Sequence, residues 1–308
     1  MVVPSNEHYD WAKEVKEFDD TKAGVKGLVD AGVAKIPKFF VHPPKSLPAP
    51  SKTTLELPTI DFEGVENDGA RRKEVVEEIR TAAGKWGFFR IVNHGVPLHI
   101  MDAMLEAIKR FHEQPVEDKM HLYSADSRQR VRFNSNVPQR EYDSACWRDI
   151  LTCVFHDDQL DPDAIPLACS EALACLYYPI CPEPDKTLGT PKHSDTTFLT
   201  LLMQDTIGGL QILHDNQWVD VPPVISNDKF ISVEHRVLAQ PVGPRISVAS
   251  FFTPSLRAGA KPFAPIKEIL SDENPAIYRE FLFKEYYEYY KTKGQDVTSA
   301  LPHFRINE

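Results

Sequence analysis

No stretch of this chain stays apolar for the roughly 20 residues that a bilayer-crossing helix needs, so nothing in it predicts a membrane span. The opening residues, MVVPSNEHYDWAKEVKEFDD, are acidic and lack the basic start and apolar core of an export signal, so an intracellular, cytoplasmic protein is expected. A C-x-x-C pair is absent as well. The five cysteines (Cys146, Cys153, Cys169, Cys175 and Cys181) are odd in number and sit in a chain of 308 residues, large enough to form a core without staples. Reduced thiols follow. There is no basic stripe, and the net charge of -10 argues against a phosphate-backbone partner, leaving a small-molecule ligand as the expected one. Internal repeats and low-complexity tracts are also missing.

What remains is an ordinary globular composition, 42% hydrophobic and 26% charged. Asp10 to about Ala34 has helical spacing, with Trp11, Val15, Phe18, Val25 and Leu28 interleaved with charged residues. The proline-rich IPKFFVHPPKSLPAPSK reads as an extended connector. LELPTIDF follows as a short strand, Glu66 to Lys85 as an amphipathic helix, WGFFRIVNHGVP as a strand closed by Gly and Pro, and the segment from Leu98 as another helix.

From Trp147 the texture changes. RDILTCVF, ALACLYYP, TTFLTLLM, GLQILH, QWVDVP, KFISVEHRVLA and RISVASFF are short apolar runs separated by Gly, Pro, Asn and Asp. Regular strands with turn chemistry between them predict an antiparallel sandwich or barrel, of which the jelly roll is one form. The tail from Ile266 to Lys293 returns to helical spacing with a Tyr- and Phe-rich face. The division is therefore an α-rich N-terminal region over 1–145, a mainly β core over 146–265 and a helical extension over 266–308.

The polar residues of the β region carry the chemistry. In TPKHSDTTFLTLL, His193 and Asp195 are two apart at the mouth of an apolar run, and residues so spaced on a strand point to one face. His235 lies inside SVEHRVL, and ten positions later Arg245 and Ser247 again share a face. Two imidazoles and a carboxylate can bind one side of a non-haem Fe(II) ion, while an arginine fork reinforced by a hydroxyl suits a carboxylate. The plainer readings are a strand-end turn for His193 and Asp195, a surface ion pair between Glu234 and Arg236, and a solvated Arg245. His214 reads as a turn residue beside Asp-Asn, and His94 as a cap on a Gly-Val-Pro turn.

This ordered set, H-x-D, then H, then R-x-S, resembles the plant 2-oxoglutarate- and iron(II)-dependent dioxygenases, near the homologues of aminocyclopropane-carboxylate oxidase. LPTIDF, WGFFRIVNHGVP, CWRDIL, LYYPICPEPDKTLGTPKHSD and SVEHRVLAQPVGPRISVASFFTPS carry the resemblance over most of the chain. It implies a double-stranded β-helix with His193, Asp195 and His235 as iron ligands and with Arg245 and Ser247 on the distal carboxylate of 2-oxoglutarate. Tyr178 would contact that co-substrate, and Phe251 and Phe252 resemble substrate-pocket positions, although strand alternation lets only one face inward. Leu176 stands where many relatives have asparagine.

The reaction implied is hydroxylation of a small specialised metabolite by a monomeric enzyme using O2. Succinate and CO2 would be released, and ascorbate would serve as reductant. Against the family pattern, sequence is missing between Ser170 and Ala172, where relatives insert a helix, and after QWVDVPP, so the jelly roll is expected to be short of one strand. These omissions raise the alternative of a non-catalytic member of the lineage, and the neighbouring oxidase branch raises that of an ascorbate-using oxidase.

Overall fold

The computed structural model describes residues 9–47, 57–126, 128–135, 144–155, 169–195, 197, 199–213, 234–254, 262–265, 267, 270–273, 275–293 and 301–306. Helix α1 (Trp11–Asp20) starts where the Asp10 carboxylate accepts from the Lys13 backbone N–H, which satisfies one donor left open by the first turn. The long helix read over Asp10 to Ala34 is in fact two. Lys22 and Gly24 take positive φ values of 53° and 72°, and a separate α2 (Gly24–Asp30) follows.

The break has a cause deeper in the chain. Asp149 is fully buried and its carboxylate accepts from Val25 N and Lys26 N, both at 2.8 Å, so α2 begins on a carboxylate from the β region. A Cβ on Gly24 would lie 2.5 Å from that carboxylate, which restricts the position to glycine. Val15, Phe18, Val25, Phe39, Phe40 and Trp147 close the interface as one apolar cluster.

Strands β1 (Thr59–Asp61) and β2 (Arg90–Val92) form a small parallel pair, crossed by α3 (Gly69–Lys85), which Asp68 caps through Ala70 N. Helix α4 (Leu98–Glu113) ends before Pro115, and the short α5 (Val116–Lys119) follows it.

The β region builds two antiparallel sheets. One contains β3 (Val131–Ser135), β4 (Asp149–Phe155), β5 (Cys169–Tyr178), β7 (Leu199–Gln204) and β10 (Arg245–Pro254), in the order β3, β4, β5, β10, β7. The other contains β6 (Leu188–His193), β8 (Leu210–Ile212) and β9 (His235–Leu238), with β9 in the middle. Period-two alternation explains why β5 is almost wholly apolar. Cys175 and Tyr177 pack outward with Ile246 and Val248 against Ile108 of α4, whereas Leu176 and Tyr178 pack inward with Ala249 against Val237 of the smaller sheet. A strand buried on both faces has no polar side to show.

The observed architecture is mainly β, with a double-stranded β-helix core and flanking helices. Strands β3 and β6 are additional to those read from the sequence, because VRFNS and LGTPKH are too polar or too glycine- and proline-rich to announce themselves. The C-terminal helix is shorter than read. It is α6 (Phe283–Lys293), with isolated bridges pairing Phe263 with Phe281 before it and Tyr278 with Arg305 across it. QWVDVP, the junction after it and His214 lie outside the described residues. The Ser170–Ala172 junction falls at the start of β5. No helix among the described residues is long and apolar enough to cross a membrane.

Candidate metal centre and its surroundings

His193 is the last residue of β6, and it lies directly opposite His235, the first residue of β9. Their rings stand 4.2 Å apart between centroids. Asp195, two residues beyond the strand end, turns Oδ1 toward both: 3.6 Å from Nε2 of His193 and 3.8 Å from Nε2 of His235. One ligand atom from each of the three lies within 4.8 Å of the others. The sequence spacing thus brings the trio together through a strand ladder, not through one continuous strand.

Neighbouring groups orient each donor. Nδ1 of His193 is 3.0 Å from the Pro191 carbonyl, so the proton belongs on Nδ1 and Nε2 keeps its lone pair toward Asp195 and His235. The hydroxyl of Thr200 donates to Asp195 Oδ2 at 2.6 Å, leaving Oδ1 for the shared point, and Thr197 supports Thr200 at 2.8 Å. Phe88, from the turn before β2, sets its ring edge-on to His235 at 5.2 Å.

Burial pushes His193 down to about 4, helped by the charges of His235 and Arg148 and opposed by Asp195. At neutral pH the imidazole is therefore unprotonated and free to bind a metal. Ligand atoms each ~2.1 Å from one ion lie roughly 3 to 3.5 Å apart, so the three donors must draw together from their present spacing to seat an ion here. Two imidazoles and one carboxylate oxygen fit Fe(II) with open coordination positions.

The inward face of the larger sheet provides the second part. Strand β10 pairs Arg245 with Tyr178, Ser247 with Leu176 and Gln204, and Phe251 with Ala172 and Thr200. Arg245 is 1% exposed and donates to Ser247 Oγ at 3.1 Å and to Gln204 Oε1 at 2.7 Å, with its guanidinium 4.8 Å from the Tyr178 ring centre. All its partners are neutral, and its Nε has no hydrogen-bond partner among the described residues. A buried guanidinium satisfied only by neutral groups is prepared for an anion.

Tyr178 in turn reaches Thr190 Oγ1 at 3.2 Å, linking this face to the strand that ends in His193. Gly189 makes that approach possible, since a Cβ there would sit 2.6 Å from the tyrosine ring. Leu176 is buried where a polar group would have completed the row.

Alternation places Phe251 on the same face as Arg245, Ser247 and Thr200, in the cluster with Leu176 and Tyr178. It turns Phe252 to the opposite face, so the pair of phenylalanines is corrected to Phe251 alone. His94 is exposed and accepts from Val96 N at 3.2 Å across its turn, as a cap would.

Two family models match, the non-haem dioxygenase N-terminal region over residues 57–170 and the 2OG-Fe(II) oxygenase superfamily over residues 169–254. The chain belongs to the 2OG-Fe(II) oxygenase superfamily. It is therefore a 2-oxoglutarate-dependent dioxygenase by lineage, and Fe(II) and 2-oxoglutarate are the metal and co-substrate of that family. It is 44% identical to 1-aminocyclopropane-1-carboxylate oxidase homolog 1 of Arabidopsis thaliana over 349 residues, covering 95% of this chain and 96% of the relative. It is 41% identical to deacetoxyvindoline 4-hydroxylase of Catharanthus roseus over 366 residues, covering 96% and 89%.

Among solved structures, JOX2 in complex with 2OG, Fe and JA matches with a TM-score of 0.74 at 26% identity, covering 92% of this chain and 98% of that one. Alignments of 349 and 366 residues exceed the 308 of this dioxygenase, so both relatives carry positions without a counterpart in it.

Sequence reasoning missed Phe88, Thr200, Gln204 and Arg148. Thr200 and Gln204 lie in an apolar run where polarity alone was a faint signal. Phe88 and Arg148 lie far from the ligands in sequence, and no spacing rule reaches across that gap.

Proposed function

We propose that His193, Asp195 and His235 ligate Fe(II), that Arg245 and Ser247 hold the distal carboxylate of 2-oxoglutarate with Tyr178 alongside, and that the chain hydroxylates a small specialised metabolite. O2 is the oxidant, succinate and CO2 are the co-products, and ascorbate keeps the iron reduced. The observation that carries this reading is the position of Asp195 Oδ1 between two imidazole nitrogens, 3.6 and 3.8 Å away, together with a buried Arg245 that has no acidic partner among the described residues.

Bound Fe(II) would supply the redox chemistry that couples decarboxylation of the keto acid to oxidation of the substrate. The chain's own residues do the rest. Thr200 and Pro191 hold the ligands in orientation, and Arg245 with Ser247 fixes the far end of the co-substrate. Tyr178 spaces the two sheets, and Phe251 extends the face as an apolar wall for substrate. The proposed organisation is a catalytic core over 146–265 between the flanking regions, acting as a monomer in the cytoplasm.

A test is direct. Anaerobic titration of the purified chain with Fe(II) should reach one ion per chain, and adding 2-oxoglutarate, O2 and ascorbate should release succinate; His193→Ala and His235→Ala should do neither. Absence of both iron binding and succinate release in the unaltered chain overturns the reading. Turnover without succinate would instead indicate an ascorbate-using oxidase. A second reading, a non-catalytic member of the lineage, draws on the positions that relatives carry and this chain does not; stoichiometric iron with a cooperative unfolding transition would remove it.

A further inference from the structure

A second arginine lies beside the metal centre, and among the described residues no carboxylate accounts for it. Arg148, immediately before β4, donates through its guanidinium to Thr190 Oγ1, the atom that also meets the Tyr178 hydroxyl at 3.2 Å. Its Nε is buried without a hydrogen-bond partner, as is that of Arg245. Strand register explains the placement. Asp149 pairs with Tyr177, so continuing the ladder by one residue sets Arg148 level with Tyr178, which is itself paired with Arg245. Three adjacent strands thus present Arg148, Tyr178 and Arg245 in one row.

The acid next in sequence gives no neutralisation. Asp149 points to the other face of β4, where Val25, Lys26 and Ser135 engage it. Among the described residues no carboxylate pairs with Arg148, whose side-chain partners are the hydroxyls of Thr190 and Tyr178. Two guanidiniums brought into a protein interior on either side of one tyrosine repel each other unless an anion joins them. The polar row on that face is otherwise incomplete, since Leu176 offers no donor.

We propose that Arg148 is a second carboxylate-binding residue of this site, donating to 2-oxoglutarate alongside Arg245. This rests on the assignment of 2-oxoglutarate as co-substrate. Which end of the keto acid it holds follows from analogue chemistry. 2-Oxopentanoate has the same chain length and the same chelating end but no distal carboxylate. If Arg148 holds the metal-proximal carboxylate, both acids weaken together on its removal; if it shares the distal carboxylate, only 2-oxoglutarate weakens.

The experiment measures binding, not turnover. With the full chain loaded anaerobically with Fe(II), 2-oxoglutarate and 2-oxopentanoate are titrated by the charge-transfer absorbance of the keto-acid chelate in the unaltered protein, R148Q, R245Q and T190V. A charged hydrogen bond of the usual strength predicts a loss of about 10- to 100-fold in 2-oxoglutarate affinity for R148Q, with iron stoichiometry kept. T190V removes the hydroxyl that Arg148 and Tyr178 share and leaves the guanidinium, so a ligand-binding arginine predicts a clearly smaller loss there than in R148Q, while a merely structural one predicts that T190V copies R148Q.

Equal affinity in R148Q and the unaltered protein, or matching losses in R148Q and T190V, would overturn the proposal. Should R148Q fail to fold, R148K tests the same point, because an ammonium keeps the charge but loses the fork, and unaltered binding there overturns it as well. If the unaltered protein itself gives no chelate, the co-substrate assignment fails; if R245Q weakens binding and R148Q does not, only the Arg148 assignment fails.

Discussion

His193 and His235 are paired across the ladder of β6 and β9 with their rings 4.2 Å apart, so one register of one small sheet decides whether three ligands can meet. A slip by one residue would turn His235 to the other face and leave Asp195 with a single imidazole. The short sheet is thereby a structural requirement of the site, and the groups that hold its ends deserve direct tests.

Thr200 is such a group. Its hydroxyl occupies Asp195 Oδ2 at 2.6 Å and so selects which carboxylate oxygen faces the imidazoles. Thr200→Val keeps the shape and removes the donor. We expect Fe(II) affinity to fall by roughly 10- to 100-fold with the unfolding midpoint nearly unchanged, as for other groups behind metal ligands. Competition titration against a chelator of known affinity reads the change, and an unaltered affinity would show that Asp195 is oriented without Thr200.

His112 governs acid stability. It is fully buried, stacked on Tyr177 with centroids 4.8 Å apart, and pushed down to about 3 by burial and then by the Lys119 charge. In the unfolded chain it titrates near ~6.5. The folded state therefore refuses a proton that the unfolded state accepts, and stability present above pH 6.5 is lost as pH falls toward 3. The limiting slope is about 1.4 kcal/mol per pH unit. His112→Phe should remove close to one proton from the pH dependence of urea unfolding between about pH 6 and 4; parallel curves for the two proteins would refute this.

Asp149 ties the N-terminal helices to the β core. Asp149→Ala leaves the Val25 and Lys26 N–H groups without their acceptor in a buried place, and about 2 to 4 kcal/mol of stability should be lost. Proteolysis should then begin in α1 and α2 before the β core is cut, which limited digestion with mass analysis can resolve. Simultaneous loss of all regions would mean that the two parts unfold as one.

Much of this site was legible without coordinates. H-x-D, the later histidine and R-x-S name their chemistry, because a polar residue in a strand buried on both faces needs a reason to be there. The alternation rule also showed that one of Phe251 and Phe252 must turn away. Strand boundaries were less legible. His193 closes a strand that the sequence does not announce, since LGTPKH carries a glycine and a proline and has no apolar period. The single helix expected from Asp10 to about Ala34 is two because an aspartate far along the chain claims the N-terminus of the second. Local periodicity cannot report a partner of that kind.

By itself, then, the sequence determined the lineage, the donor types and the alternation that puts Arg245 and Ser247 on one face, all of which depend on residue identity at short range. Tertiary structure decided which groups meet: His193 with His235 through ladder register, Asp195 Oδ1 through Thr200, and Arg148 with Tyr178 and Arg245 through neighbouring strands. The physical reason is that antiparallel pairing joins residues whose separation along the chain is set by intervening loops, and no periodicity encodes that length.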